Sequence, residues 1–143
     1  MIRSASLALA VGAGLAGAAE ARPPGLAEIV AREARAAGVP VSIALGVVTV
    51  ESRWNPRATG RQGEIGLGQI FCRTARGVGY RGACAGLYHP ATNARFSMRY
   101  LRLALRRGGA GCAGISLYNR GHNARPVCSA YGRRVIAAAG RSR

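Results

Sequence analysis

An apolar run that ends on an acid constrains this chain more than any other feature. Val41, Ile43, Ala44, Leu45, Val47, Val48 and Val50 fill a stretch without a single charge, and Glu51 follows at once. Apolar side chains on nearly every side suit a helix inside a core rather than one lying on a surface. Pro40 suits the first helical position, where its missing N–H costs nothing. The pattern predicts a buried helix from Pro40 to Glu51 or Ser52. Asn55-Pro56 then marks a turn, and Gly60, Gly63, Gly66 and Gly68 punctuate a loop. Glu51 is thereby expected where a dry helix meets that loop. Desolvation disfavours the charged carboxylate, and a protonated carboxyl facing a cleft is what a general acid requires. The plain alternative makes Glu51 the polar end of a helix or the partner of an Arg, and this run alone does not decide between them.

The flanking segments are also helical in pattern. Leu26, Ile29, Val30, Ala34 and Ala37 recur at helical spacing, with Arg32, Glu33 and Arg35 expected on the wet face and Gly38 as the stop. Phe96, Tyr100, Leu101, Ala104 and Leu105 make a second apolar face, with Arg99, Arg102, Arg106 and Arg107 opposite and Gly108-Gly109 at its end. A short helix from Cys112 to Asn119 and a last one, with Val135, Ile136 and Ala139 expected as its apolar side, complete an all-α reading. The 143 residues suit one domain, without internal repeats or a low-complexity linker.

Residues 1–21 read as a secretory signal peptide and 22–143 as the mature domain. Arg3 supplies the positive start, Ser4 to Ala19 is uncharged and small, and Ala19-Glu20-Ala21 is a cleavage site. The uncharged stretch is shorter than the roughly 20 residues of a spanning helix, so no stable membrane span is expected after cleavage. No Cys follows the cleavage site, which argues against a lipoprotein. Four cysteines, Cys72, Cys84, Cys112 and Cys128, read as two disulfides in an exported domain. Of the possible pairings, Cys72–Cys84 and Cys112–Cys128 are favoured because each closes a short loop. A metal site is the rival, but there is no C-x-x-C, and His89 and His122 lack ligand spacing. No metal or other cofactor is expected. The 21 basic residues are all Arg, and the net charge is +16. That field attracts polyanions. The arginines are scattered, without a compact block or interleaved aromatics, so nucleic acid is not the expected partner.

Larger motifs then coincide with Glu51. Glu51-Ser52 with Trp54, Pro56 and Ala58 resembles the E-S-x-F-x-P-x-A signature of the soluble lytic transglycosylases. Gly63 to Ile70 resembles their G-A-x-G-L-M-Q-I, with Gly68 in place of Met. Ile70 to Gly79 resembles I-M-P-x-T-A-x-x-L-G, with Cys72 in place of Pro. Leu87 to Leu101 resembles L-x-D-P-x-x-N-x-x-x-G-x-x-Y-L, with His89 in place of the acid and Ser97 at or near the Gly. Leu117 to Gly121 resembles A-Y-N-A-G, with Arg120 in place of Ala, and Tyr131 to Val135 resembles Y-V-x-x-V. The blocks keep the family's order from about residue 26 to 138.

The resemblance implies a lysozyme-like fold and cleavage of bacterial peptidoglycan by a single carboxylate. Glu51 would be acid and then base, yielding a 1,6-anhydro-N-acetylmuramic acid end without water. Ser52 is expected to orient Glu51 or bind sugar. Gln69 and Tyr118 are expected to hold the N-acetyl group or the reacting ring. Asn119 is expected to fix loop geometry beside the cleft, and Tyr131 to point toward it. Glu64 is an additional carboxylate in the loop, which keeps open a water-using muramidase like the goose-type lysozymes. A cationic wall-binding protein without turnover is the rival of another class. The implied location is the periplasm or the exterior, with glycan strands as partner. The small size fits local wall opening for a secretion or conjugation apparatus.

Overall fold

The computed structural model describes residues 25–141, and the expected leader lies outside them. Helix α1 (Leu26–Ala37) opens on Gly25, whose N–H donates to the Glu28 carboxylate at 2.7 Å. An acid in the first turn also faces the positive end of the helix dipole. Gly38 stops the helix at φ 69°, a left-handed conformation that glycine adopts without steric cost. Helix α2 (Val41–Ser52) follows, with Pro40 just before its first turn rather than inside it. Val47 and Val48 are fully buried, each contributing about 1.5–3 kcal/mol of apolar burial.

Helices α3 (Cys72–Gly77), α4 (Pro90–Gly108), α5 (Cys112–Arg120) and α6 (Ala130–Gly140) complete the set, with a short 3-10 turn over Cys84–Tyr88. Among the described residues the chain is mainly helical and forms no strand, as expected for an all-α protein. Helix α2 packs between α1 and α6, and α4 packs on α1 and α5. Gly46 permits the close approach of α2 to α6, since a Cβ there would come within 2.6 Å of the Val135 carbonyl oxygen. The disulfides join Cys72 to Cys84 and Cys112 to Cys128. The first ties α3 to the 3-10 turn, and the second ties α5 to the segment before α6. Among the described residues no helix is long and apolar enough to cross a membrane.

Two expectations about helix faces need correction. Glu33 is not on the wet face of α1 but buried, 6% exposed. Arg32 at 3.0 Å and Arg95 of α4 at 3.3 Å supply the opposite charge that lets a carboxylate leave water. Ile136 is 45% exposed. The buried stripe of α6 runs through Tyr131, Gly132, Val135, Ala138 and Ala139, a helical period that leaves Ile136 outside it. On α4 the expected face from Phe96 to Leu105 is buried as drawn from the pattern.

Candidate active site

Glu51 lies in the last turn of α2, where the chain must leave the core and reverse. It does so through Arg53 and Trp54 at φ 51° and 67°. Consecutive non-glycine residues in this region cost about 1–2 kcal/mol each. Trp54 offsets part of that cost by being buried and by donating its Nε1–H to Thr49 Oγ1 at 3.0 Å. The third non-glycine residue with positive φ among those described is Gln69, at 47°. All three flank the Gly-rich loop, so backbone strain is concentrated around the acid.

That loop is folded back on itself and held from two sides. Antiparallel bridges pair Thr59 with Ile65 and Ile65 with Ile70. The Gln69 amide donates to the Ala58 and Gly66 carbonyls at 3.2 and 3.0 Å. From below, the fully buried Asn93 of α4 accepts the Gly68 N–H at 2.8 Å and donates to the Ile65 and Leu87 carbonyls at 2.7 and 2.8 Å. Ser97 adds a hydroxyl bond to Asn93 Oδ1 at 3.2 Å. Tyr118 of α5 donates to the Gly68 carbonyl at 2.7 Å. Both backbone groups of Gly68 are thus clamped. A Cβ on Gly68 would run into Ser97 Oγ and lie 2.9 Å from the Tyr118 hydroxyl. Glycine here does not open the cleft; it lets the loop sit down on Ser97 and Tyr118.

Above the loop is a cavity of about 300 Å³. Glu51, Glu64, Gln69, Tyr118 and Asn119 line it, together with Phe71, Arg73 and Thr74 near α3 and Arg120 at the end of α5. Four of the expected site residues therefore line one cavity with Glu64. Two stand elsewhere. Ser52 is buried, and its hydroxyl donates to the Val48 carbonyl at 3.4 Å, because one step along a helix turns it from the cavity toward the core. Tyr131 is buried behind Glu51 rather than facing the cavity, and donates to Glu51 Oε1 at 2.7 Å. The two amides also differ in their contacts. Gln69 gives both amide protons to its own loop, whereas the exposed Asn119 makes no side-chain hydrogen bond among the described residues. Gln69 thus ties down its own loop.

Burial is the largest influence on Glu51 and pushes its pKa from 4.5 to about 7. The Tyr131 hydrogen bond and the Arg134 charge oppose the rise, and the Glu64 charge adds to it. The negative end of the α2 dipole acts in the same direction as Glu64. Near neutral pH Glu51 is thus poised to give a proton and to take one back. Burial, then the charge of Glu51, push the Tyr118 and Tyr131 phenols above their usual values, so both remain hydrogen-bond donors. Glu64 is positioned by the Gln62 N–H, which donates to its Oε2 at 3.0 Å. His89 caps α4, its Nδ1 facing the Thr92 N–H at 3.5 Å, which explains how a histidine serves where an acid was expected. Sequence reasoning placed Asn93 in a motif without seeing its task. The available signal was an amide on the same helix face as Ser97 and Tyr100.

A family model described as the transglycosylase SLT domain matches residues 28–133. No curated protein matches the chain at a significant level. Among solved structures, an inactive Glu-to-Gln mutant of lytic transglycosylase Slt from Pseudomonas aeruginosa superimposes with a TM-score of 0.72 at 19% identity, covering 82% of this chain and 24% of that one. The 70-kDa soluble lytic transglycosylase from Escherichia coli gives 0.60 at 25% identity, over 80% and 18% of the two chains. A complex of the 70-kDa soluble lytic transglycosylase with bulgecin A gives 0.63 at 23% identity, over 82% and 19%. The fold is therefore shared, while this chain spans a quarter or less of the length of those proteins.

Proposed function

Because the chain belongs to the transglycosylase SLT domain family, we propose that it is a peptidoglycan lytic transglycosylase with Glu51 as its acid and base. The bond cleaved joins C1 of N-acetylmuramic acid to O4 of N-acetylglucosamine. The Glu51 carboxyl donates its proton to O4, the C1–O4 bond breaks, and the N-acetylglucosamine leaves as an alcohol. Positive charge at C1 is met by the carbonyl oxygen of the substrate's own N-acetyl group. The Glu51 carboxylate then removes the proton of the muramoyl 6-hydroxyl, and O6 bonds to C1. Glu51 ends protonated, no water is consumed, and the product carries a 1,6-anhydro ring.

The observation that carries this reading is the Glu51 carboxyl itself, on the cavity wall, held near neutral pKa by burial and bonded to the Tyr131 phenol. One group that both donates and accepts needs such a midpoint. The phenol stabilises the carboxylate formed after the first transfer, Tyr118 and Gln69 fix the loop beneath the sugar, and Asn119 offers its amide to an N-acetyl group. The inactivity of the Pseudomonas Glu-to-Gln mutant accords with one indispensable carboxyl in that relative. Glu64 in the same cavity favours a second outcome, in which it activates a water that takes the place of the 6-hydroxyl at C1 and leaves a reducing end.

The two disulfides support action in the periplasm or outside the cell. A role beside a secretion or conjugation apparatus extends the proposal, and unchanged assembly of such a machine in a deletion strain would remove that extension. For the reaction itself, Glu51→Gln is expected to lower cleavage of purified peptidoglycan by about 10²–10⁴, the usual contribution of a general acid, while sedimentation with the wall is retained. Cleavage at the full rate would show that Glu51 is not the acid.

A further inference from the structure

We infer that Arg73 and Arg120 form a carboxylate-reading edge of the Glu51 cavity, so that the chain selects glycan bearing anionic substituents over neutral glycan of the same shape. The inference rests on the glycan reading above and names the substrate feature that the site prefers. With a net charge of +16, arginine on a surface means little by itself. These two differ in lining the cavity that Glu51 lines and in being held in place there. The Arg120 Nη1 donates to the Arg125 carbonyl at 2.8 Å, which leaves the rest of its fork free. The Arg73 guanidinium lies 4.2 Å from the centre of the Phe71 ring. Guanidiniums already oriented lose less freedom when they bind, and their planar fork matches a carboxylate.

Neither charge is cancelled by the protein. Among the described residues both ion pairs belong to Glu33 of α1, which does not line this cavity, and Glu64 pairs with neither arginine although it does. The muramoyl residue supplies the missing anion. Its lactyl ether carries a short peptide with free carboxylates, while the neighbouring N-acetylglucosamine has none. An anionic substituent in the cavity has both cations on its lining, with the N-acetyl amides left for Asn119.

The test uses the full chain with Glu51→Gln, so that ligands are not consumed. The probes are a tetrasaccharide muropeptide and the same compound with its carboxyl groups converted to amides. Dissociation constants are measured for both. The native muropeptide is expected to bind about tenfold more tightly, as for one charge-assisted hydrogen bond, and the preference should shrink at high salt. Arg73→Gln or Arg120→Gln should remove most of that preference and leave the amidated compound's affinity unchanged, which also shows that the variants are folded. Equal affinity for the two compounds, or a preference untouched by both substitutions, overturns the inference while the glycan reading stands. Binding of neither compound overturns both together.

Discussion

Tyr131→Phe removes one oxygen from behind the proposed acid and should leave two separate marks on the pH dependence of activity. The phenol donates to Glu51 Oε1 at 2.7 Å, and this bond opposes the burial that raises the carboxyl. Hydrogen bonds to charged groups contribute about 1.5–3 kcal/mol, and 1.36 kcal/mol corresponds to about one pKa unit. Part of the bond survives when the carboxyl is protonated, so the net change lies at the low end of that range. The Glu51 midpoint is therefore expected to move from about 7 to about 8. The first transfer needs protonated Glu51, so activity falls as pH rises through this midpoint. In the variant the fall should begin about one unit later. Its plateau should also drop by about tenfold, because the carboxylate formed in the transition state has lost its donor. The assay is release of soluble muropeptides from purified peptidoglycan between pH 4 and 9, at fixed ionic strength. The phenylalanine keeps the buried ring, so melting temperature controls for packing. A midpoint that stays in place or moves to lower pH would refute the reasoning, whatever happens to the plateau.

Glu51→Gln should stabilise the fold above pH 7, since burial raises this carboxyl from 4.5 to about 7 and its charged form opposes folding. The wild-type deficit is absent below the unfolded pKa, grows through the window from 4.5 to 7 and reaches about 3 kcal/mol above it, so urea midpoints should coincide at pH 4 and separate at pH 8. Asn93→Ala leaves the Gly68 N–H and the Leu87 carbonyl without this partner and the Ile65 carbonyl with the Ile70 N–H alone, and should cost about 2–4 kcal/mol by urea unfolding, with loss of activity from a loosened loop. Gly68→Ala should cost about 1–3 kcal/mol against Ser97, and Ser97→Gly in the same chain should recover part of it; strictly additive effects in the double-mutant cycle would contradict the close approach.

What the sequence made legible was what depends on period and spacing. The apolar run before Glu51, the glycine stop at Gly38, the arginine face of α4 and the short disulfide loops all have local causes, and all appear in the structure. The order of motifs singled out Glu51, Gln69, Tyr118 and Asn119, which line one cavity. What stayed hidden depends on partners distant in sequence. Glu33 is polar by residue type, and only Arg95, 62 residues away, makes its burial tolerable. Ser52 follows the acid in the motif, yet the helix turn sends it to the core. Gly68 and Ser97 looked like two unrelated departures from the family pattern. In space they are one contact, with the serine filling the room a side chain at position 68 would need.

The nature of the product tests the central claim most directly. Purified peptidoglycan is digested with the oxidised protein and with Glu51→Gln in water labelled with heavy oxygen, and the released muropeptides are weighed. The account predicts products lighter by one water than hydrolysis would give, without a reducing muramic end and without label, and release from the Glu51→Gln variant lower by about 10²–10⁴. Labelled reducing ends would contradict it, showing that water rather than the 6-hydroxyl closes the reaction and directing attention to Glu64.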